Sequence, residues 1–313
     1  MLELNNDQMR QYIDARAAFE AREEALAEAE QVRGGMYWHK GPPSAPDQVY
    51  LVRTSAGGGE KSLGPKSPQT EEMFARFTQR KQYAIERLKG LDEAVQQHER
   101  LNRAYRVGRV PALVVSLLQQ LEKTKLQQYF RVVGTHSLYA YEFAAGVRFD
   151  SGAVATRDID LLWDVRKRVQ FATALARVDT SMIGVLRKVD RSFKVRSGQQ
   201  YTAVNKDSFE VDILRREQLG SDPHPLRLSE DEDDFWVTQA PRANELLDSP
   251  GFSSIIVATN GKMARMHTLS PTVFVRFKRW MSSLSNRDPL KRNRDQLQAD
   301  AVQHVIDHYL PPQ

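Results

Sequence analysis

The chain has 313 residues, 41% of them hydrophobic, enough to bury one large or two ordinary cores without staples. It contains no cysteine, which excludes disulfides, thiolate metal sites and cysteine nucleophiles; a metal bound by carboxylates or histidines remains open, with a hard, oxygen-bound ion expected. The net charge of +5 comes from 45 basic against 40 acidic residues and the pI is near 9.3, so polyanionic partners are favoured, but by a small excess.

The opening stretch MLELNNDQMRQYIDAR lacks a basic segment followed by an apolar one, and the apolar run 110–118 is too short to span a bilayer. A soluble, cytoplasmic protein without membrane contact is expected. Met9, Tyr12, Ile13, Phe19 and Leu26 recur at helical spacing as far as the Gly34-Gly35 pair, which predicts a first amphipathic helix. Two aromatic and β-branched runs, 36–40 and 48–53, flank the turn-rich GPPSAPD and predict a small hairpin, after which SAGGGEKSLGPKSP reads as a loop. Across 70–103, Phe74, Phe77, Ala84, Leu88, Leu91 and Val95 make a near-heptad stripe on a long helix. That helix can pair antiparallel with the first, and it makes a homodimer conceivable.

Pro111 opens a third helix, to about 125, that buries Leu113, Val114, Leu117, Leu118 and Leu121. From Tyr129 onward the pattern predicts strands at 130–133, 158–165, 193–196, 201–204 and 209–214, with a helix at 137–145. Residues 271–310 read as two helices, and the acidic run 230–234 as a solvated loop. The basic, proline-containing stretch 101–110 marks a boundary. The expected organisation is a helical module with a hairpin over 1–105, a mixed core over 106–268 and a C-terminal helical segment over 269–313, of α+β class.

Three segments carry chemistry. In Val132-Val133-Gly134-Thr135-His136-Ser137-Leu138 a buried strand passes through glycine into a helix whose first turn carries hydroxyls, which suits an anion; capping alone also explains such a turn. In Arg157-Asp158-Ile159-Asp160-Leu161 the two aspartates share one face of an otherwise apolar strand, where a divalent cation relieves their repulsion, unless the strand is an edge with solvated acids. In Phe209-Glu210-Val211-Asp212-Ile213-Leu214 the alternation repeats, and a third acid beside the first two can bind metal and activate a hydroxyl. Asp212, flanked by core residues, is the better candidate and Glu210 the reserve.

A glycine-hydroxyl turn, Asp-x-Asp on a strand and one acid on a later strand resemble the DNA polymerase beta-like nucleotidyltransferase superfamily. More closely, GTHSLYAYEFAAGVRF, ATRDIDLLWDVR, AVNKDSFEVDIL and DPLKRNRDQLQA resemble a bacterial nucleotidyltransferase family of GSLAR type, from YWHK to YLP near the end. The resemblance implies a polymerase beta-like core of mixed sheet and flanking helices. It assigns Gly134, Thr135 and Ser137 to nucleotide phosphates, Asp158 and Asp160 to metal, and Asp212 to metal and proton acceptance. The segment 143–156 is an insertion relative to the commonest pattern, and Thr135-His136 replaces the usual Gly-Ser or Gly-Gly pair.

Lys278, in FVRFKRWMS, and the run Asn286-Arg287-Asp288-Pro289 with Lys291, Arg292, Arg294 and Asp295 resemble elements of abortive-infection toxin nucleotidyltransferases. Lys278 is then a triphosphate contact, its flexible ammonium acting as a point cation, or a solvated lysine on an amphipathic helix. What the resemblance implies is transfer of a nucleoside monophosphate from ATP or another NTP, with Mg²⁺ or Mn²⁺, to a hydroxyl on an RNA end, a protein or a small molecule. A toxin or defence role, with an antitoxin as partner, goes with it; the alternative is a non-catalytic nucleotide or nucleic-acid binding module that keeps the fold. His136 either contacts a ligand or bonds the backbone, and His304 and His308, four apart on the last helix, read as surface residues. The aromatic and basic groups Tyr37, Trp38, Lys40, Tyr50, Arg53 and Lys61 suit either a single-stranded nucleic acid or a packed accessory module.

Overall fold

The structure, a computed structural model, describes residues 1–41, 47–55, 57–178, 180–220 and 222–311. The chain divides into two units, Gln11–Leu101 and the combination of Met1–Arg10 with Asn102–Gln313. After strand β1 (Leu2–Glu3), helix α1 (Asn6–Gln31) starts on a reciprocal cap in which Asn5 Oδ1 accepts from Gln8 N and Gln8 Oε1 from Asn5 N. In the smaller unit α1 meets α2 (Pro68–Ala104) antiparallel, since the partners step in opposite directions: Gln11 with His98, Arg22 with Asp92, Glu28 with Arg87 and Gln31 with Arg80. Tyr12, Ala15, Phe19 and Ala25 are buried on α1, and Ala84 and Val95 on α2.

Between these helices lies a three-stranded meander of β2 (Gly35–Lys40), β3 (Val49–Thr54) and β4 (Glu60–Pro65). The turn expected between β2 and β3 falls largely outside the described residues. β4 corrects the expectation of a loop: its sequence EKSLGP has neither β-branched residues nor alternation, and it is a strand because β3 offers it a free edge. Trp38 packs on Phe74 with ring centroids 5.7 Å apart, the Arg53 guanidinium sits 4.6 Å from the Phe77 ring and Tyr37 donates to Glu60 at 2.8 Å. These groups are engaged within their own unit, as in a packed module.

The larger unit is a mixed sheet with helices on both faces. In chain order its elements are α3 (Ala112–Lys123), β5 (Phe130–Val133), α4 (Ser137–Ala145), β6 (Val147–Arg148), α5 (Ser151–Val154), β7 (Asp158–Trp163), α6 (Arg168–Arg177), α7 (Met182–Val189), β8 (Lys194–Arg196), β9 (Gln199–Val204), β10 (Glu210–Arg216), β11 (Thr238–Ala240), α8 (Ala243–Asp248), β12 (Gly251–Val257), β13 (Met263–Leu269), α9 (Pro271–Ser283) and α10 (Pro289–His308). The strand order is β12-β13-β5-β7-β10-β9-β8, with β11 paired to the later half of β10. β5 is antiparallel to β7, and β7 is parallel to β10. Pro111 caps α3 rather than occupying its first turn.

Alternation along β7 and β10 separates two faces. Ile159, Leu161, Trp163, Val211 and Ile213 are buried on one, where Phe171 of α6 meets Trp163 at 5.2 Å. On the other face Val133, Leu162, Leu246, Leu269 and Val273 form an apolar cluster. The acidic run 230–234 is not wholly solvated: Asp234 is buried and accepts from Met182 N, Ile183 N, Phe235 N and Ser229 Oγ, which caps the start of α7. Asp234→Ala strands these donors in the interior and should lower unfolding stability by about 2–3 kcal/mol. Glu232→Ala, at an exposed position, should change it by less than about 0.5 kcal/mol. Urea denaturation monitored by far-UV circular dichroism checks both; equal effects would show that Asp234 has no special place.

Candidate active site

Strand register brings the acids together. In the parallel pair β7–β10, Asp158 lies beside Glu210 and Asp160 beside Asp212, so one face of two adjacent strands carries four carboxylates. On the other flank of β7, Val133 of β5 is the register partner of Asp160, and the next residue, Gly134, turns the chain toward α4. Gly134 adopts φ +71°, and a Cβ there would stand 2.6 Å from Asp160 Oδ2. Backbone conformation and proximity to the acid both select glycine. The expected turn and the expected acids are therefore neighbours.

Three of the four acids have a local partner. Thr156 donates to Asp158, Thr202 Oγ1 donates to Asp212 Oδ1 at 2.6 Å, and Arg196 pairs with Glu210. Burial first, and then the charges of Asp158 and Asp212, push the Asp160 carboxyl up to about 7, while Lys278 and Arg294 pull against that rise. The Asp212 carboxyl is also raised, chiefly by burial, with Glu210 and Asp158 adding to the effect and Thr202 and Arg196 opposing it.

These groups fit a hard divalent cation that shares its shell with a ligand. Among the described residues no three His, Cys, Asp or Glu side chains converge closely enough to hold an ion alone. Magnesium ordinarily takes one or two protein carboxylates and leaves the remaining positions to water and phosphate oxygens. Carboxylates crowded on adjacent strands are the donors such a cation relieves, and Asp158, Asp160 and Asp212 are so placed.

The turn differs from expectation in its hydroxyls. Ser137 is fully buried and its Oγ donates to the Val132 carbonyl at 3.2 Å, so this hydroxyl is committed to the end of β5 rather than offered to a phosphate. Thr135 Oγ1 instead accepts from Gln298 Nε2 at 3.1 Å. His136 is buried, and burial pushes it down to about 4 against the opposing charge and backbone of Asp158, so it is neutral at pH 7 and presents no cation. His304 and His308 stack on each other, with ring centroids 4.2 Å apart.

Lys278 is not the freely moving ammonium that the sequence suggests. It is buried on α9 and bonds Asp295 Oδ1 of α10 at 2.8 Å, while Arg287 holds Oδ2 of the same carboxylate. Burial lowers the Lys278 pKa and Asp295 opposes that. The charge of Lys278 opposes the rise of the Asp160 carboxyl. Three contributors escape sequence reasoning. Thr156 and Thr202 have no motif of their own, and Thr202 becomes visible only once β9 is registered against β10. Gln298 is marked only by its place one helical turn beyond Asp295.

A family model described as nucleotidyltransferase matches residues 112–313, more than half of the chain, and the protein belongs to this nucleotidyltransferase family. It is therefore a transferase, and the matched segment contains the turn, all four acids, Lys278 and α10. No curated protein and no solved structure matches the chain.

The raised Asp160 carboxyl has a measurable consequence in metal-free protein. Its folded pKa of about 7 lies above the ordinary 3.8, so its contribution to stability is full below the ordinary value and is lost as pH rises through the folded one. Asp160→Asn removes this titration. In EDTA, thermal unfolding of the parent should fall more steeply from about pH 4 to about pH 8 than that of Asp160→Asn. Parallel profiles would show that Asp160 ionises normally in the fold.

Proposed function

We propose that the protein transfers a nucleoside monophosphate from an NTP, with ATP the first choice, to an acceptor hydroxyl. The acceptor oxygen forms the new bond to the α-phosphorus, the bond to the bridging oxygen breaks, and pyrophosphate leaves. The observation that carries this reading is the register of Asp160 beside Asp212 on strands next to the Gly134 turn. Asp158, Asp160 and Asp212 would hold magnesium or manganese. A bound ion of this kind supplies Lewis-acid stabilisation of phosphate charge and acidifies a nearby hydroxyl. Asp212, whose pKa burial raises, receives the acceptor's proton. The start of α4, with Gly134 and Thr135, cradles the outer phosphates, where backbone N–H groups and the helix dipole favour negative charge. Lys278, held by Asp295, adds positive charge from the buried side.

The acceptor we favour is an RNA end, on the modest basic excess of the chain; a protein hydroxyl and a small molecule are the other candidates. The resemblance to GSLAR-type and abortive-infection nucleotidyltransferases supports a toxin or defence role in the cytoplasm, with an antitoxin or a second copy of the chain as partner. Incubation with magnesium, each α-labelled NTP in turn, and separate RNA, protein and small-molecule fractions should move label into one fraction only. The Asp158→Ala/Asp160→Ala double variant should lower that transfer by about a thousandfold or more. Nucleotide binding without transfer, the same in parent and variant, would overturn the catalytic reading in favour of a binding module.

A further inference from the structure

Gln298 is fully buried on α10, and its Nε2 donates both to the Ala153 carbonyl at 2.7 Å and to Thr135 Oγ1 at 3.1 Å. A carbonyl can only accept, so the atom facing Ala153 is the amide nitrogen, and its second hydrogen goes to Thr135. Thr135 Oγ1 is thereby the acceptor in this contact, which leaves its own proton for another partner. The Gln298 Oε1 is buried without a hydrogen bond among the described residues. Packing alone gives no reason for such an orphan, since methionine or leucine fills a comparable volume without it.

The two anchors of this amide lie on different parts of the site. Thr135 belongs to the turn after β5, and Ala153 belongs to α5, just ahead of Thr156 and Asp158. We propose that Gln298 is a positioning residue for the nucleotide, which holds the Thr135 hydroxyl as a donor to the phosphates and ties the turn to the segment leading into the acids. This rests on the reading of the 134–137 turn as the phosphate site. Gln298 touches no reacting atom, and α10 is itself fixed by Asp295 between Lys278 and Arg287.

The test compares Gln298→Met, Thr135→Val and the double variant in the full chain. It measures affinity for a non-transferable ATP analogue with magnesium, KM and kcat for transfer, and melting temperature. Each single change should weaken the analogue and raise KM about tenfold, as for one lost hydrogen bond to a charged oxygen, with kcat and melting temperature little altered. The double variant should bind no worse than Thr135→Val alone. Should Gln298→Met not fold, Gln298→Glu, close in volume, offers Thr135 a carboxylate that takes its proton, and affinity should fall at least as far. Additive losses, or a lower melting temperature with affinity unchanged, would reduce Gln298 to a structural residue. Transfer by the parent separates the two readings: transfer intact with Thr135→Val binding normally overturns the role of Gln298 alone, whereas no transfer overturns both.

Discussion

Repulsion between carboxylates on neighbouring strands is the constraint around which the larger unit is arranged. Strands in a sheet lie about 4.8 Å apart, so acids in direct register cannot both ionise without help. Thr156, Thr202 and Arg196 supply donors along the strands, and Lys278 and Arg294 supply charge from the C-terminal helices. The opposite face holds the geometry: Ile159, Leu161, Val211 and Ile213 are buried, and a slip of one residue would exchange them with the acids. Core and site are therefore specified by the same alternation.

The C-terminal helices extend that arrangement. A buried lysine is costly when unpaired, and removal of one partner from a buried ion pair typically costs about 3–5 kcal/mol. Asp295 offsets this for Lys278, and Arg287 occupies its remaining oxygen. The pair α9–α10 is thus joined by a polar network rather than by an apolar seam alone. Of the basic residues on these helices, Lys278 is buried, whereas Arg276, Arg279 and Lys291 are exposed.

Much of this was legible in the residues. Helix α4 spans the residues expected for it, and the strands bearing the acids begin where alternation starts, because alternation in Asp158-Ile159-Asp160-Leu161 has no helical equivalent. The illegible parts share a physical cause, since each depends on a partner distant in sequence. β12 and β13 pair with each other and extend the sheet beyond β5, although MARMHTL has no clean alternation. β4 exists by virtue of the edge it covers. The hydroxyl of Ser137 looks available at a helix start and is consumed by the strand before it, and the ammonium of Lys278 looks mobile until Asp295 is placed beside it.

The contact between Gln298 and Thr135 also bears on the order in which the protein is made. Synthesis runs from the N-terminus and domains fold as units, so the turn and the acids emerge well before α10. Until that helix docks, Lys278 has no Asp295, Thr135 has no amide, and Asp160 lacks the opposing charge of Arg294. A chain interrupted between α9 and α10 would retain every acid of the site and lack Arg294, Asp295 and Gln298.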